Sequence, residues 1–146
     1  MSPKDLVRAF YERVVSENRL DLVPAYIAPS CRLISGADSH PLGADGMAAH
    51  IRATKGTYPD YTIRILRQFC DGEYVISEFL MEGTHAGAWL GISPTGRRLS
   101  FTGVNIDRVV RGKIVEHGGA VNTFVTLLAE HLIQPASFCA RSANQS

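Results

Sequence analysis

The fold of this protein is decided by the stretch from Phe101 to Val121, which reads FTGVNIDRVVRGKIVEHGGAV. Apolar and polar residues alternate on both sides of the central Arg111-Gly112 pair, and this pattern is typical of a β-hairpin. If Gly112 takes the left-handed position of a three-residue loop, Asn105 pairs with His117. The stretch therefore predicts two long antiparallel strands joined by a tight turn.

Side chains of a strand point alternately to its two faces, so this hairpin has two distinct surfaces. One predicted face mixes apolar residues and glycines with three polar side chains: Phe101, Gly103, Asn105, Asp107, Val115, His117, Gly119 and Val121. The other predicted face is apolar: Val104, Ile106, Val110 and Ile114. A few polar groups among apolar ones are typical of a small-molecule pocket, whereas a packed core with one hydrogen-bonded histidine is the alternative interpretation.

The rest of the chain places helices before most of the strands. Helices are predicted over residues 3–16, 20–27, 44–55 and 123–133. Strands are predicted over residues 31–34, 61–69, 73–84, 97–110 and 113–121, with residues 35–43 as a loop. This order predicts an α+β domain over residues 1–133, in which a curved sheet covers the helices. A flexible C-terminal tail is expected over residues 134–146.

Composition limits the possible partners. The chain has 146 residues, 45% hydrophobic and 20% charged, with fifteen Lys+Arg against fourteen Asp+Glu. A net charge of +1 argues against nucleic acid and against an anionic membrane surface as partners. No apolar run approaches the roughly 18 residues of a membrane span. Because the start from Met1 to Asp5 lacks a signal-peptide core, a cytoplasmic location is expected.

Cysteine and histidine spacing gives no metal signature. The cysteines Cys31, Cys70 and Cys139 are odd in number and form no CxxC pair, so reduced thiols are expected. The histidines His40, His50, His85, His117 and His131 show no HxH or HxxxH spacing. No metal site is therefore predicted.

The loop before the hairpin carries a family resemblance. Residues 83–98 read GTHAGAWLGISPTGRR, which resembles the GTHxGxxLGIxPTGRR signature of the SnoaL-like polyketide cyclase, or ester cyclase, family. The FTG, GKIVEH and N-terminal VRAFYE segments resemble the same family, and the similarity covers roughly residues 5–133. This family lies in the nuclear transport factor two-like superfamily.

The resemblance implies a cystatin-like α+β barrel, in which a curved antiparallel sheet wraps around the N-terminal helices and encloses a conical pocket. It also implies a homodimer that packs through the outer sheet face, and no cofactor. The catalytic aspartate of the founding cyclases maps onto Gly119, the neighbouring tryptophan onto Gly118, and a pocket histidine onto Asn105. We expect these two glycines to enlarge the pocket.

Since the usual aspartate is absent, the catalytic prediction moves to other residues. A histidine side chain can both give and take protons in catalysis, so His117 is the predicted acid or base, with Asp107 diagonally across the hairpin to orient it. Asn105 is predicted to donate to a developing oxyanion. His85 is either a second acid–base group or a residue that fixes the GTH loop.

The predicted ligand is a hydrophobic small molecule. Residues predicted to contact it are Phe10, Val14, Trp89, Phe101, Gly103, Gly119, Val121 and Phe124. The sequence therefore predicts a cofactor-independent enzyme that cyclises or isomerises a polycyclic, polyketide-like or terpenoid-like metabolite by proton transfer. A non-catalytic ligand-binding module and an epoxide-opening hydrolase or lyase are the alternative hypotheses.

Overall fold

The computed structural model of the protein describes residues 1–136. Most of the predicted tail at 134–146, from residue 137 onward, therefore lies outside the described residues. Helix α1 (Pro3–Ala9) continues directly as a π-helix (Phe10–Val15). A 3₁₀ turn (Leu20–Leu22) and three further helices follow: α2 (Val23–Tyr26), α3 (Gly43–Thr57) and α4 (Thr123–Ala129). Its strands are β1 (Ile27–Ser35), β2 (Asp38–Pro41), β3 (Thr62–Asp71), β4 (Tyr74–Thr84), β5 (Arg98–Val110) and β6 (Lys113–Val121). Within residues 1–136, no helix is both long and apolar enough to span a bilayer.

The six described strands form one curved sheet in the order β2-β1-β6-β5-β4-β3. The sheet is not closed, since β2 and β3 are its edges. The predicted α+β class is confirmed. The sheet is not purely antiparallel, however, because β1 and β6 run parallel.

Strand β2 lies in the segment that was predicted as a loop. All four of its residues are exposed, so no alternation of apolar and polar residues marks it in the sequence. The predicted helix over 20–27 is also shorter than expected. It divides into the 3₁₀ turn and α2, and Ile27 already belongs to β1.

The N-terminal helix changes its winding halfway along. Ser2 caps α1, since its hydroxyl oxygen accepts a hydrogen bond from the amide N–H of Asp5. The following six residues form a π-helix, in which the Ser16 N–H donates to the carbonyl of Tyr11 at 3.1 Å. Its apolar side chains are buried against the sheet: Phe10, Tyr11, Val14 and Val15.

The hairpin between β5 and β6 has a different register from the predicted one. Arg111 and Gly112 have φ angles of 51° and 73°, which makes a two-residue turn with both residues left-handed. A β-bulge at Val115 then shifts the register, so that Asp107 pairs directly with His117 rather than diagonally.

The bulge decides which way β6 presents its side chains. Without it, a two-residue turn would pair Asp107 with Glu116 and turn His117 to the outer face. The two-residue turn itself pairs Ile114 with Val109 and places it in the core, so the prediction of Ile114 on the outer face is wrong. Val104 and Ile106 do lie on the outer face, as predicted.

Gly118 and Gly119 permit close backbone approach and do not open space. A Cβ at Gly118 would contact the carbonyl of Ile34 on β1 and lie 3.2 Å from the Ile34 Cβ. A Cβ at Gly119 would contact the carbonyl of Val104 and lie 2.5 Å from the Asn105 Oδ1. The expectation that these glycines enlarge the pocket is therefore wrong.

We predict that Gly119→Ala destabilises the protein more than Gly36→Ala. Both glycines have positive φ, 149° and 61°, but no atom of residues 1–136 lies within 4 Å of a Cβ at Gly36. The Gly36 variant thus measures backbone strain alone, about 1–2 kcal/mol, whereas crowding at Gly119 adds about 1–3 kcal/mol. Urea denaturation compares the two, and equal losses would contradict the crowding.

Candidate functional site

The inner face of the sheet and the helices enclose a cavity of about 300 Å³. The π-helix and α3 form one wall, and β4, β5 and β6 form the other. Predicted residues that line it are Phe10, Trp89, Phe101, Asn105, His117 and Val121. Most of the remaining lining is apolar or aromatic, and within residues 1–136 no three potential metal-ligating side chains come together. The cavity is thus shaped for an apolar ligand.

A hydrogen-bonded group of three side chains lies at the sheet wall. The hydroxyl of Tyr11 lies 2.6 Å from Oδ2 of Asp107, and Nδ1 of His117 lies 2.7 Å from Oδ1 of the same carboxyl group. Tyr11 and His117 are themselves 3.1 Å apart. We call these three residues the Tyr11–Asp107–His117 triad.

The hydrogen bonds of the triad indicate which of its atoms carry protons. Asp107 is fully buried, and an ionised carboxylate only accepts hydrogen bonds, so Tyr11 and His117 are both donors to it. His117 then carries its proton on Nδ1. Its Nε2 makes no hydrogen bond within residues 1–136 and is an acceptor whenever the ring is neutral.

The phenol of Tyr11 stays protonated. Burial, followed by the negative charge of Asp107, raises its pKa well above the ordinary value, and an amide contact from Asn105 acts in the opposite direction. Tyr11 is thus a fixed donor that holds the carboxylate in place. Asn105 lines the cavity beside the triad and pairs with Gly119 on β6.

His85 is fully buried in an aromatic cluster behind the cavity wall and does not itself line the cavity. Its Nδ1 is 3.1 Å from the Thr95 hydroxyl, and its backbone N–H donates to Arg97 at 2.8 Å. Its ring contacts Tyr58 and Trp89, with centroids 5.9 and 6.3 Å apart. This placement brings His85 against the 86–97 loop and not into the triad.

Four predicted contact residues do not line the cavity. Val14 is buried in the core. Gly103 lies beneath the ring of Phe79, and this ring lines the cavity in its place. Gly119 faces Asn105, as described above. Phe124 is 65% exposed, because α4 packs through Leu127 instead. None of these positions could be inferred from strand parity or helix spacing alone.

Tyr11 and His50 are two polar residues of the cavity wall that the amino-acid pattern did not place in the site. Nothing in the helical pattern around Tyr11 reveals a hydrogen-bond partner 96 residues away. His50 on α3 shares a helical face with Met47, Ile51 and Thr54, and all four line the cavity. That spacing was a usable signal.

Comparisons with known proteins agree with this geometry. The family model of the SnoaL-like polyketide cyclases matches residues 5–129. The structure of IdmH, a candidate polyketide cyclase from Streptomyces antibioticus, superposes with a TM-score of 0.76 at 26% identity over 91% of this chain and 100% of that one. A search of curated proteins finds no match.

Two further solved structures share the fold at lower identity. A candidate polyketide cyclase from Acidithiobacillus ferrooxidans has a TM-score of 0.77 at 19% identity, over 92% of this chain and 100% of that one. AclR, a candidate hydroxylase from Streptomyces galilaeus, has a TM-score of 0.73 at 22% identity, over 99% and 92% of the two chains.

We predict that Tyr11→Phe destabilises the protein by about 1.5–3 kcal/mol, because it removes one donor from a buried carboxylate. Tyr58→Phe is the matched control, since Tyr58 is equally buried but its hydroxyl has no hydrogen-bond partner among residues 1–136. Its removal is expected to be neutral or stabilising. Chemical denaturation of both variants measures the difference, and equal effects would argue against the donor role of Tyr11.

Proposed function

Because this chain belongs to the SnoaL-like polyketide cyclase family, we propose that it is an enzyme that moves a proton on a hydrophobic polycyclic, polyketide-like or terpenoid-like metabolite without a cofactor. The observation that carries this proposal is the buried Asp107, which holds His117 at 2.7 Å in the wall of an apolar cavity. A histidine backed by a carboxylate is a general base whose tautomer and orientation are fixed.

In the proposed reaction, Nε2 of His117 removes a proton from a carbon next to a substrate carbonyl. The C–H electron pair forms the new C=C bond, and the carbonyl π pair moves onto the oxygen. Asp107 stabilises the imidazolium that results, and the amide N–H of Asn105 donates to the oxygen that gains charge. In a conjugated substrate the carbonyl then re-forms while the γ-carbon takes the proton back from His117. Alternatively, the enolate carbon attacks a second carbonyl and closes a ring; the π pair of that carbonyl moves onto its oxygen, which takes the proton from His117.

In this scheme His117 takes the role of the aspartate that the family carries at the position of Gly119. Position 119 is a glycine with no room for a Cβ, so the proposal assigns the base to His117. An apolar lining favours this chemistry, since it strengthens the hydrogen bonds to the charge that develops. The free thiols of Cys31 and Cys70 fit a reducing compartment, and we propose the cytoplasm.

We predict that the protein accelerates exchange of the α-hydrogens of 2-tetralone, a bicyclic ketone, for deuterium in D₂O. His117→Asn is expected to slow this exchange about 10²–10⁴-fold, the usual contribution of a general base. Proton NMR follows the exchange. His40→Asn is the control, because His40 is exposed on the edge strand β2.

Two results would overturn the proposal in different ways. If His117→Asn exchanges 2-tetralone at the wild-type rate, His117 is not the base. If the wild-type protein gives no exchange above buffer while 2-tetralone changes the fluorescence of its single tryptophan, Trp89, the chain is a binding module instead.

We further propose that the protein is a homodimer that packs through the outer sheet face. Val104 and Ile106 on β5 are 42% and 48% exposed in the single chain, and Ile76 pairs beside them on β4. Ion pairs from Arg67 to Glu78 and from Arg108 to Glu116 border this apolar strip. An exposed apolar strip with a charged rim is typical of a protein–protein interface.

We predict that light scattering after gel filtration gives about twice the chain mass of 15.9 kDa for the wild-type protein and the monomer mass for Ile106→Glu. A charge buried at the centre of an interface without a partner prevents association. Leu90→Glu is the control, since Leu90 is 67% exposed on the 86–97 loop. A wild-type monomer, or an Ile106→Glu dimer, would contradict the proposed interface.

A further inference from the structure

Helix α3 presents one polar side chain with an unused donor to the cavity. Its inward face consists of Met47, His50, Ile51 and Thr54, spaced by three and four residues. The hydroxyl of Thr54 donates to the carbonyl of His50 within the helix, at 3.1 Å. The imidazole of His50 makes no hydrogen bond to any residue in the range 1–136, so its N–H remains available for a ligand.

His50 and His117 belong to different walls of the cavity. His117 lies on the sheet wall with Asn105, and His50 lies on the helix wall at the solvent-exposed rim. Desolvation by the surrounding protein, and then the charge of His117, lower the pKa of His50. A neutral imidazole always carries one N–H donor, so His50 keeps a donor without a second positive charge.

The polar groups on the two walls differ in their roles. The sheet wall already supplies the base and the amide donor of the proposed reaction. A ligand that fills the cavity also contacts α3, where the neighbours of His50 are apolar or already hydrogen-bonded. A donor on this second wall is placed to reach another edge of the ligand than the edge that faces Asn105.

We propose that His50 is a specificity-determining residue that donates a hydrogen bond to a second oxygen of the substrate, on the edge opposite the reacting carbonyl. This inference rests on the proposed function and narrows the substrate class. The substrate is a flat hydrophobic molecule with oxygens on two opposite edges, such as a diketone, a hydroxyketone or a hydroxyquinone. A ligand without the second oxygen leaves the donor of His50 unpaired when it covers the rim.

The test compares two probes of similar shape, 2,6-dihydroxynaphthalene and naphthalene. The wild-type protein is expected to bind the diol more tightly. His50→Leu is expected to weaken diol binding about tenfold and to change naphthalene binding less than twofold. The reason is that the lost hydrogen bond involves a hydroxyl group that only the diol carries. Amide shifts in ¹H–¹⁵N NMR spectra give both dissociation constants.

His50→Gln is the matched variant, since it keeps a side-chain N–H donor of similar reach. It is expected to retain most of the preference for the diol that His50→Leu loses. The inference is overturned if the diol binds both variants as tightly as it binds the wild type. It is also overturned if both probes weaken equally in His50→Leu, or if the wild-type protein binds neither probe or prefers naphthalene.

These binding measurements need no turnover, so they separate this inference from the proposed function. Deuterium exchange that depends on His117, together with a diol affinity that ignores position 50, would refute the role of His50 and leave the base in place. A diol preference lost only in His50→Leu, without any exchange of 2-tetralone, would support the ligand class and refute the proton transfer.

Discussion

The buried carboxylate of Asp107 is the constraint on which the rest of the structure depends. A lone carboxylate in an apolar interior costs several kcal/mol, so it must be hydrogen-bonded. Tyr11 from the N-terminal helix and His117 from β6 donate to its two oxygens at 2.6 and 2.7 Å. This interaction joins the helix layer to the centre of the sheet, and it fixes the imidazole in the cavity wall.

Three irregular features bring these groups together. The π-helix contains Tyr11 and lies against the sheet, and the bulge at Val115 turns His117 to the inner face. The glycines at 118 and 119 allow β6 to lie tightly between β1 and β5. Irregular helices and bulges are frequent near functional sites because they re-aim side chains that regular elements would point elsewhere.

A second cluster, built on aromatic rings, closes the other side of the cavity. Trp89 packs edge-to-face on Tyr58 and Phe101, with ring centroids 5.6 and 5.5 Å apart. His85 lies beneath it and is hydrogen-bonded to Thr95. The GTH segment that carries much of the family resemblance therefore supports the loop that holds Trp89, while the polar chemistry of the site lies on β5, β6 and the helices.

The α+β class, the four long strands and the inward face of β5 follow from the amino-acid sequence alone, because alternation of apolar and polar residues is a local property of a strand. The sequence also singled out Asn105, Asp107 and His117. The pairing of Asp107 with His117 and the third partner Tyr11 are set by the tertiary structure. These depend on one bulged residue and on contacts between distant segments, and neither leaves a periodic signal in the chain.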